Sequence, residues 1–133
     1  MTLRVAAILG SWIVWLAGLA LTGCRGGRQP AAYAPTNGGD PDRGRTLVAA
    51  RSCGVCHVIP GVVGAAGVIG PSLAGVARRD MIPAGLPNTT DNLAHWVRDP
   101  EGLEPKAAMP NLGLDETQAR DVAAFLETLR EDQ

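Results

Sequence analysis

Two cysteines and a histidine in the run Cys53-Gly54-Val55-Cys56-His57 restrict this chain more than any other feature. Two thiols separated by two residues can each add to one of the two vinyl groups on neighbouring pyrroles of a haem. A histidine directly after the second thiol then falls beneath the iron. Gly54 is expected to let the backbone turn tightly between the attachment points. The competing reading is a zinc site or a dithiol redox centre. A structural zinc site needs four ligands, and beyond the motif the chain offers only His95 and Cys24. A thioredoxin-like centre needs a βαβ pattern, which the chain lacks.

Composition points the same way. Trp12 and Trp15 fall in the apolar N-terminal run and Tyr33 in a linker, so the core proper has only Trp96 and Phe125 as rings. Aromatic side chains supply much of the buried area in most cores. A large, flat, mostly apolar haem would fill such an interior. The net charge of -1 argues against a nucleic-acid binder. Its distribution is uneven. Residues 43–79 carry Arg43, Arg45, Arg51, Arg78 and Arg79 and no acid, whereas residues 99–133 carry nine acids against Lys106, Arg120 and Arg130. This suggests a dipole with a basic half that bears the motif, or else an ordinary scatter of surface charge.

The N-terminus reads as a targeting segment. Arg4 precedes residues 5–21, which carry no charge and sit at the lower length limit for a spanning helix. The run ends in Leu21-Thr22-Gly23-Cys24, which resembles the lipobox of bacterial lipoproteins. The resemblance implies a diacylglycerol on Cys24 and cleavage before it. An uncleaved anchor, an ordinary secretory peptide, or a cysteine buried in a helix are the alternatives. The domain boundaries expected are a leader over 1–23, a lipidated cysteine and flexible tether over 24–40, and a folded domain over 41–133. The tether is rich in Gly, Pro and Ala. Its sixteen residues 25–40 would span about 20–24 Å as a flexible coil, with Tyr33 the one residue able to pin it.

Three helices are expected. Asp40 as cap and Pro41 at the first position start one over residues 42–51. Thr90 caps a second over 91–98. Asp115 and Gln118 form a capping box ahead of a third over 116–130, in which Val122, Phe125, Leu126 and Leu129 recur at helical spacing and face the first helix. No alternating strand pattern of useful length occurs, so the fold class is all-α. Gly61, Gly64, Gly67 and Gly70 mark a loop, either lying close against the haem or merely flexible.

If His57 supplies one axial ligand, the other comes from Met81, Met109 or His95. Met109 precedes Pro110, which keeps it out of the helical region on an extended loop. It lies more than fifty residues after the motif, enough chain to wrap a haem edge. Met81, beside Arg78, Arg79 and Asp80, is read as packing. His95 falls in a short helix. A neutral thioether opposite histidine favours ferrous iron and raises the potential. It also fills the coordination sphere, which suits outer-sphere electron transfer.

With CxxCH early, Gly70-Pro71-Ser72-Leu73 in the middle and Met109-Pro110 before a last helix, residues 40–130 resemble class I cytochromes c. The resemblance implies three to four short helices wrapped around one haem c, covalently held by Cys53 and Cys56. It also implies that the carbonyl of Pro71 orients His57 and that Leu73 packs on the ring. Arg78 or Arg79, with Trp96, would bond the propionates. Residues 61–78, the run 84–93 with Trp96, and Ala108-Met109-Pro110 are similar to the cytochrome c domain of subunit II of caa3-type haem-copper oxidases. No segment of this chain has the size or the Cys/His cluster of the copper domain found there. Lys106 is the only lysine, so any electrostatic docking relies on arginine.

The resulting expectation is a membrane-tethered, mono-haem electron carrier of a respiratory chain, not an enzyme. It would lie on the outer face of the bacterial cytoplasmic membrane or the periplasmic side of a membrane. It would take electrons from a quinol-oxidising complex or another cytochrome and pass them to a terminal oxidase or reductase. The alternatives are a haem enzyme or gas sensor with an open sixth site, for which His95 is the only acid–base candidate, and a fixed haem subunit of a larger complex.

Overall fold

A computed structural model describes residues 38–130. Residues 1–37, with the apolar run, Cys24 and Tyr33, lie outside the described residues. Helix α1 spans Pro41–Ala50. The Asp40 carboxylate accepts from the backbone N–H groups of Asp42 and Arg43 at 2.9 and 3.0 Å, satisfying donors that an open helix end leaves unpaired. Ser52, at φ 57°, ends the helical path. Two residues on each side of a tight turn form a short antiparallel ladder, β1 over Met81–Ile82 and β2 over Leu86–Pro87, with Met81 opposite Pro87. Strands this short leave no periodic trace in sequence, and the architecture remains helical.

Helix α2 spans Thr90–Arg98. Its cap is Thr89, not Thr90: the Thr89 hydroxyl accepts from the Asn92 N–H at 3.2 Å. The Thr90 hydroxyl is buried and donates to Glu127 instead. A single turn, α3, follows over Pro100–Leu103. Helix α4 spans Glu116–Leu126 and opens with the expected box: Gln118 N–H donates to Asp115 Oδ1 at 2.8 Å, and Asp115 N–H to Gln118 Oε1 at 3.2 Å. It stops four residues before the expected end. The Leu129 carbonyl accepts from the Ala77 N–H at 3.2 Å, and Thr128 and Leu129 donate to carbonyls three residues back. The chain leaves α4 to tie down a distant loop, although Leu129 stays buried.

Helices α1 and α4 pack directly on one another, and α2 packs on α4. Their closest approach needs glycine. A Cβ on Gly44 would lie 2.0 Å from the Asp121 carbonyl oxygen and 2.9 Å from Phe125 Cβ. Beside this contact the buried Asp121 carboxylate accepts from Arg43 Nε at 2.8 Å, Arg43 Nη2 at 2.9 Å and the Asp40 N–H at 2.7 Å. These bonds lower its pKa from the usual carboxylate value. The Arg43 hydrogen bond is the largest cause and burial opposes it. No helix among the described residues is long and apolar enough to cross a membrane.

Candidate functional site

The left-handed Ser52 turns the chain out of α1 into a 3-10 turn over Cys53–Val55. The N–H groups of Cys56 and His57 both donate to the Cys53 carbonyl, at 3.2 and 3.0 Å. One turn of chain therefore carries both thiols and the imidazole. Gly54 has no left-handed φ, so conformational freedom is not why glycine stands there. Its absent Cβ would meet Ala65 Cα at 2.6 Å. The returning loop crosses at this point, and the Gly67 N–H donates to the Gly54 carbonyl at 3.0 Å.

The four loop glycines divide into two kinds. Gly61 and Gly64 have φ of 73° and 79° and turn the chain, Gly64 in open space and Gly61 beside the Arg45 guanidinium. Gly67 and Gly70 permit close approach to the attachment turn itself. A Cβ on Gly70 would lie 2.3 Å from His57 Cε1 and 2.6 Å from Nδ1. The imidazole thus rests against bare backbone. Its Nδ1 lies 2.7 Å from the Pro71 carbonyl. A carbonyl only accepts, so Nδ1 carries the hydrogen and Nε2 keeps a free lone pair.

Cys53, Cys56, His57 and Met109 line one cavity of 330 Å³ with predominantly apolar walls. Pro71, Leu73 and Trp96 line it too, and Arg79, Glu104 and Lys106 add polar groups. Of the two candidate arginines Arg79 is on the wall; Arg78 is not. The Arg79 guanidinium donates to the Ser72 carbonyl. Met81 departs from its expected place in the packing. It is half-exposed on the two-residue ladder, opposite Pro87, and still borders the cavity. His95 does not reach the cavity. It is exposed on an outer groove of α2 and α4 with Asp91, Arg98, Glu116 and Arg120.

Sequence reasoning did not single out Arg51 for any role. Its guanidinium donates to the Leu112 carbonyl at 3.1 Å and to Gln118 Oε1 at 3.3 Å. It pins the loop that presents Met109 to the start of α4. Nothing in the local sequence signals this, since the partners lie 61 and 67 residues away.

The chemistry of this cavity suits a haem. A flat apolar body needs apolar walls, two thiols at one edge and a nitrogen donor with its tautomer fixed, and the described residues supply each. Burial pushes the Cys53 thiol above its ordinary range, as expected of a sulfur facing an apolar interior. Among the described residues no group of three or more His, Cys, Asp and Glu side chains is arranged to hold a bare metal ion.

Comparison with known proteins agrees. The family model for cytochrome c matches residues 41–130. Over 90 residues the chain is 31% identical to cytochrome c oxidase subunit 2 of Alkalihalophilus pseudofirmus, covering 67% of this chain and 25% of that protein. Over 83 residues it is 36% identical to cytochrome c-552 of Bradyrhizobium diazoefficiens, covering 62% of this chain and 69% of that protein. The chain therefore spans about a quarter of the oxidase subunit's length.

Proposed function

Since the chain belongs to the cytochrome c family, whose members are electron-transfer proteins with covalently bound haem c, we infer that it is a mono-haem electron carrier with a methionine–histidine iron site. Cys53 and Cys56 would hold the haem through thioether bonds, and His57 Nε2 and the Met109 sulfur would ligate its iron. The observation that carries this reading is that these four side chains line one apolar cavity. Bound there, haem supplies a one-electron ferric–ferrous couple.

The chain's own residues fix how that couple behaves. Pro71 holds the Nδ1–H of His57 and Gly70 backs its ring, so the imidazole keeps one orientation. Pro110 and Arg51 hold the Met109 loop, and a neutral sulfur there favours the reduced state. Val48, Leu93, Val97 and Val122 line the apolar side and exclude water. Leu73 lines the cavity and would pack on the haem. Arg79, with Trp96, provides hydrogen-bond donors for the propionates. His95 on the outer groove offers nothing to a substrate bound in the cavity, which favours the carrier over an enzyme or gas sensor.

The cell places the carrier outside the cytoplasm. Residues 1–23 act as leader, Cys24 takes the lipid, and residues 24–40 tether the domain over 41–133 to the outer face of the cytoplasmic membrane or the periplasmic side of a membrane. Electrons come from a quinol-oxidising complex or another cytochrome and pass to a terminal oxidase. The likeness to a cytochrome c oxidase subunit 2 supports that acceptor and leaves room for a stable haem subunit of such a complex.

The test is the optical spectrum of the ferrous, haem-loaded protein before and after carbon monoxide. No change in wild type and a shift in Met109→Ala is the expected result. Ready binding to wild type would refute Met109 as the second ligand and revive the open-site reading.

A further inference from the structure

Asn88 is not on the cavity wall, yet three carbonyls of the segment that forms part of that wall depend on it. Its Nδ2 donates to the Val76 carbonyl and to the Arg79 carbonyl, each at 2.8 Å. Its backbone N–H donates to the Asp80 carbonyl at 2.9 Å. Val76 and Arg79 both line the cavity. Between them runs a single 3-10 turn over Val76–Arg78, entered through a left-handed Gly75. A turn this short has little stability of its own, so donors from outside decide where it sits. The chemistry of the side chain says which end of it works. Among the described residues, Asn88 Oδ1 is the one buried side-chain nitrogen or oxygen without a hydrogen-bond partner. An unmet buried acceptor is costly, so the oxygen is no reason for asparagine here. The nitrogen is. Both of its partners are carbonyls, which only accept, and a primary amide brings two N–H groups from one atom. Turning the amide over would set its oxygen against two carbonyl oxygens.

The clamp has a firm mount. Pro87, just before Asn88, belongs to β2, and its carbonyl accepts from Asn92 Nδ2 at 2.8 Å. Thr89, just after, caps α2, which packs on α4. What the clamp holds is the backbone of a long, exposed cation. The Arg79 guanidinium donates to the Ser72 carbonyl. Ser72 follows Pro71, whose carbonyl lies 2.7 Å from His57 Nδ1. A line therefore runs from Asn88 through Arg79, Ser72 and Pro71 to the imidazole. An unrestrained arginine spreads over many rotamers, and its field at a given point weakens as it swings away. With its backbone fixed and its tip bonded to a carbonyl, Arg79 keeps its positive charge on the cavity wall.

Resting on the carrier reading above, we propose that Asn88 is a positioning residue of the redox site, acting through Arg79. A guanidinium held against the cavity disfavours the more positive ferric state, so the clamp raises the reduction potential.

The test is a mutant cycle read by optical spectroelectrochemistry of the whole haem-loaded chain at neutral pH, with a urea midpoint for each protein. Asn88→Leu removes both donors and the unmet acceptor while filling similar space, and Asn88→Ala removes them without added bulk. Each should shift the ferric–ferrous midpoint to lower potential, the direction expected of Arg79→Gln. Neither should shift it further once Arg79→Gln is present, because the route through Arg79 is already cut. A role in stability alone would lower the urea midpoint and leave the potential at its wild-type value, and that result overturns the proposal. Shifts that add in the double variants overturn it as well, since Asn88 then acts by another route. So does a wild-type potential in Arg79→Gln. In all three cases a reversible one-electron couple leaves the carrier reading standing. If wild type shows no reversible couple, the carrier reading itself fails and the positioning role falls with it.

Discussion

Replacing Gly44 by alanine tests the packing that closes the domain. In an exposed helix interior this substitution stabilises by about 0.5–1 kcal/mol, because glycine loses more backbone freedom on folding. Here the new Cβ would sit 2.0 Å from the Asp121 carbonyl oxygen, 2.6 Å from its carbon and 2.9 Å from Phe125 Cβ. Two of these atoms are backbone and cannot rotate away. Ordinary contact begins near 3.4 Å, so α1 and α4 must part locally by about 1.4 Å. That displacement would stretch the 2.8 and 2.9 Å bonds from Arg43 to the buried Asp121 carboxylate beyond useful length. Overpacking of this kind costs about 1–3 kcal/mol, and weakened bonds to a carboxylate add about 1 kcal/mol or more. After the helix-propensity gain, the net loss is about 2 kcal/mol. Urea unfolding of the haem-loaded protein, followed by far-ultraviolet circular dichroism, should show the midpoint falling by about 1 M. Ala49→Gly, on the exposed side of the same helix, should lose only the propensity difference. A Gly44→Ala midpoint equal to or above wild type would refute the steric argument.

Asp121→Asn should lower stability by about 1–3 kcal/mol at neutral pH. The folded pKa of Asp121 lies below its unfolded value, so its contribution is complete above about pH 4 and is lost as pH falls through the lower folded value. Denaturation measured across pH should therefore show wild type and variant converging in acid; a constant gap would contradict the linkage. Gly70→Ala should push the His57 ring off the Pro71 carbonyl and move the imidazole proton resonances of the loaded protein; an unchanged NMR spectrum would count against the backing role of Gly70. Arg51→Ala should loosen the Met109 loop, giving the ferrous protein a carbon monoxide affinity between wild type and Met109→Ala; complete insensitivity to carbon monoxide would show that the loop needs no such restraint.

Features written within a few residues of each other were legible in the sequence. Asp40 with Pro41, and Asp115 with Gln118, start helices where their local chemistry predicts. Met109 could be picked out because Pro110 restricts its backbone, the attachment motif because its thiol spacing and histidine fit a haem, and Pro71 only through the likeness to class I cytochromes c. Thr89 and Thr90 are equally good caps on paper. The choice between them depends on Glu127, whose carboxylate takes the Thr90 hydroxyl from 37 residues away. The end of α4 was illegible for the same reason, since Ala77 draws the Leu129 carbonyl out of the helix. Gly44 and Asp121 have meaning only as partners across α1 and α4, and Met81 only as part of a two-residue ladder.

The contact between α1 and α4 has a consequence in time. Arg43 and Asp121 are separated by 78 residues, and Val122 and Leu126 on α4 complete the apolar side of the cavity. The turn with both thiols lies next to α1, so it leaves the ribosome well before that last wall exists. Until α4 docks, the cleft would stay open on one side, and with the proposed attachment a haem would reach Cys53 and Cys56 without crossing a packed interior. Closing so long a loop is slow compared with forming either helix. The order of synthesis thus leaves an interval in which ligation can precede closure, and the final helix seals whatever has been attached.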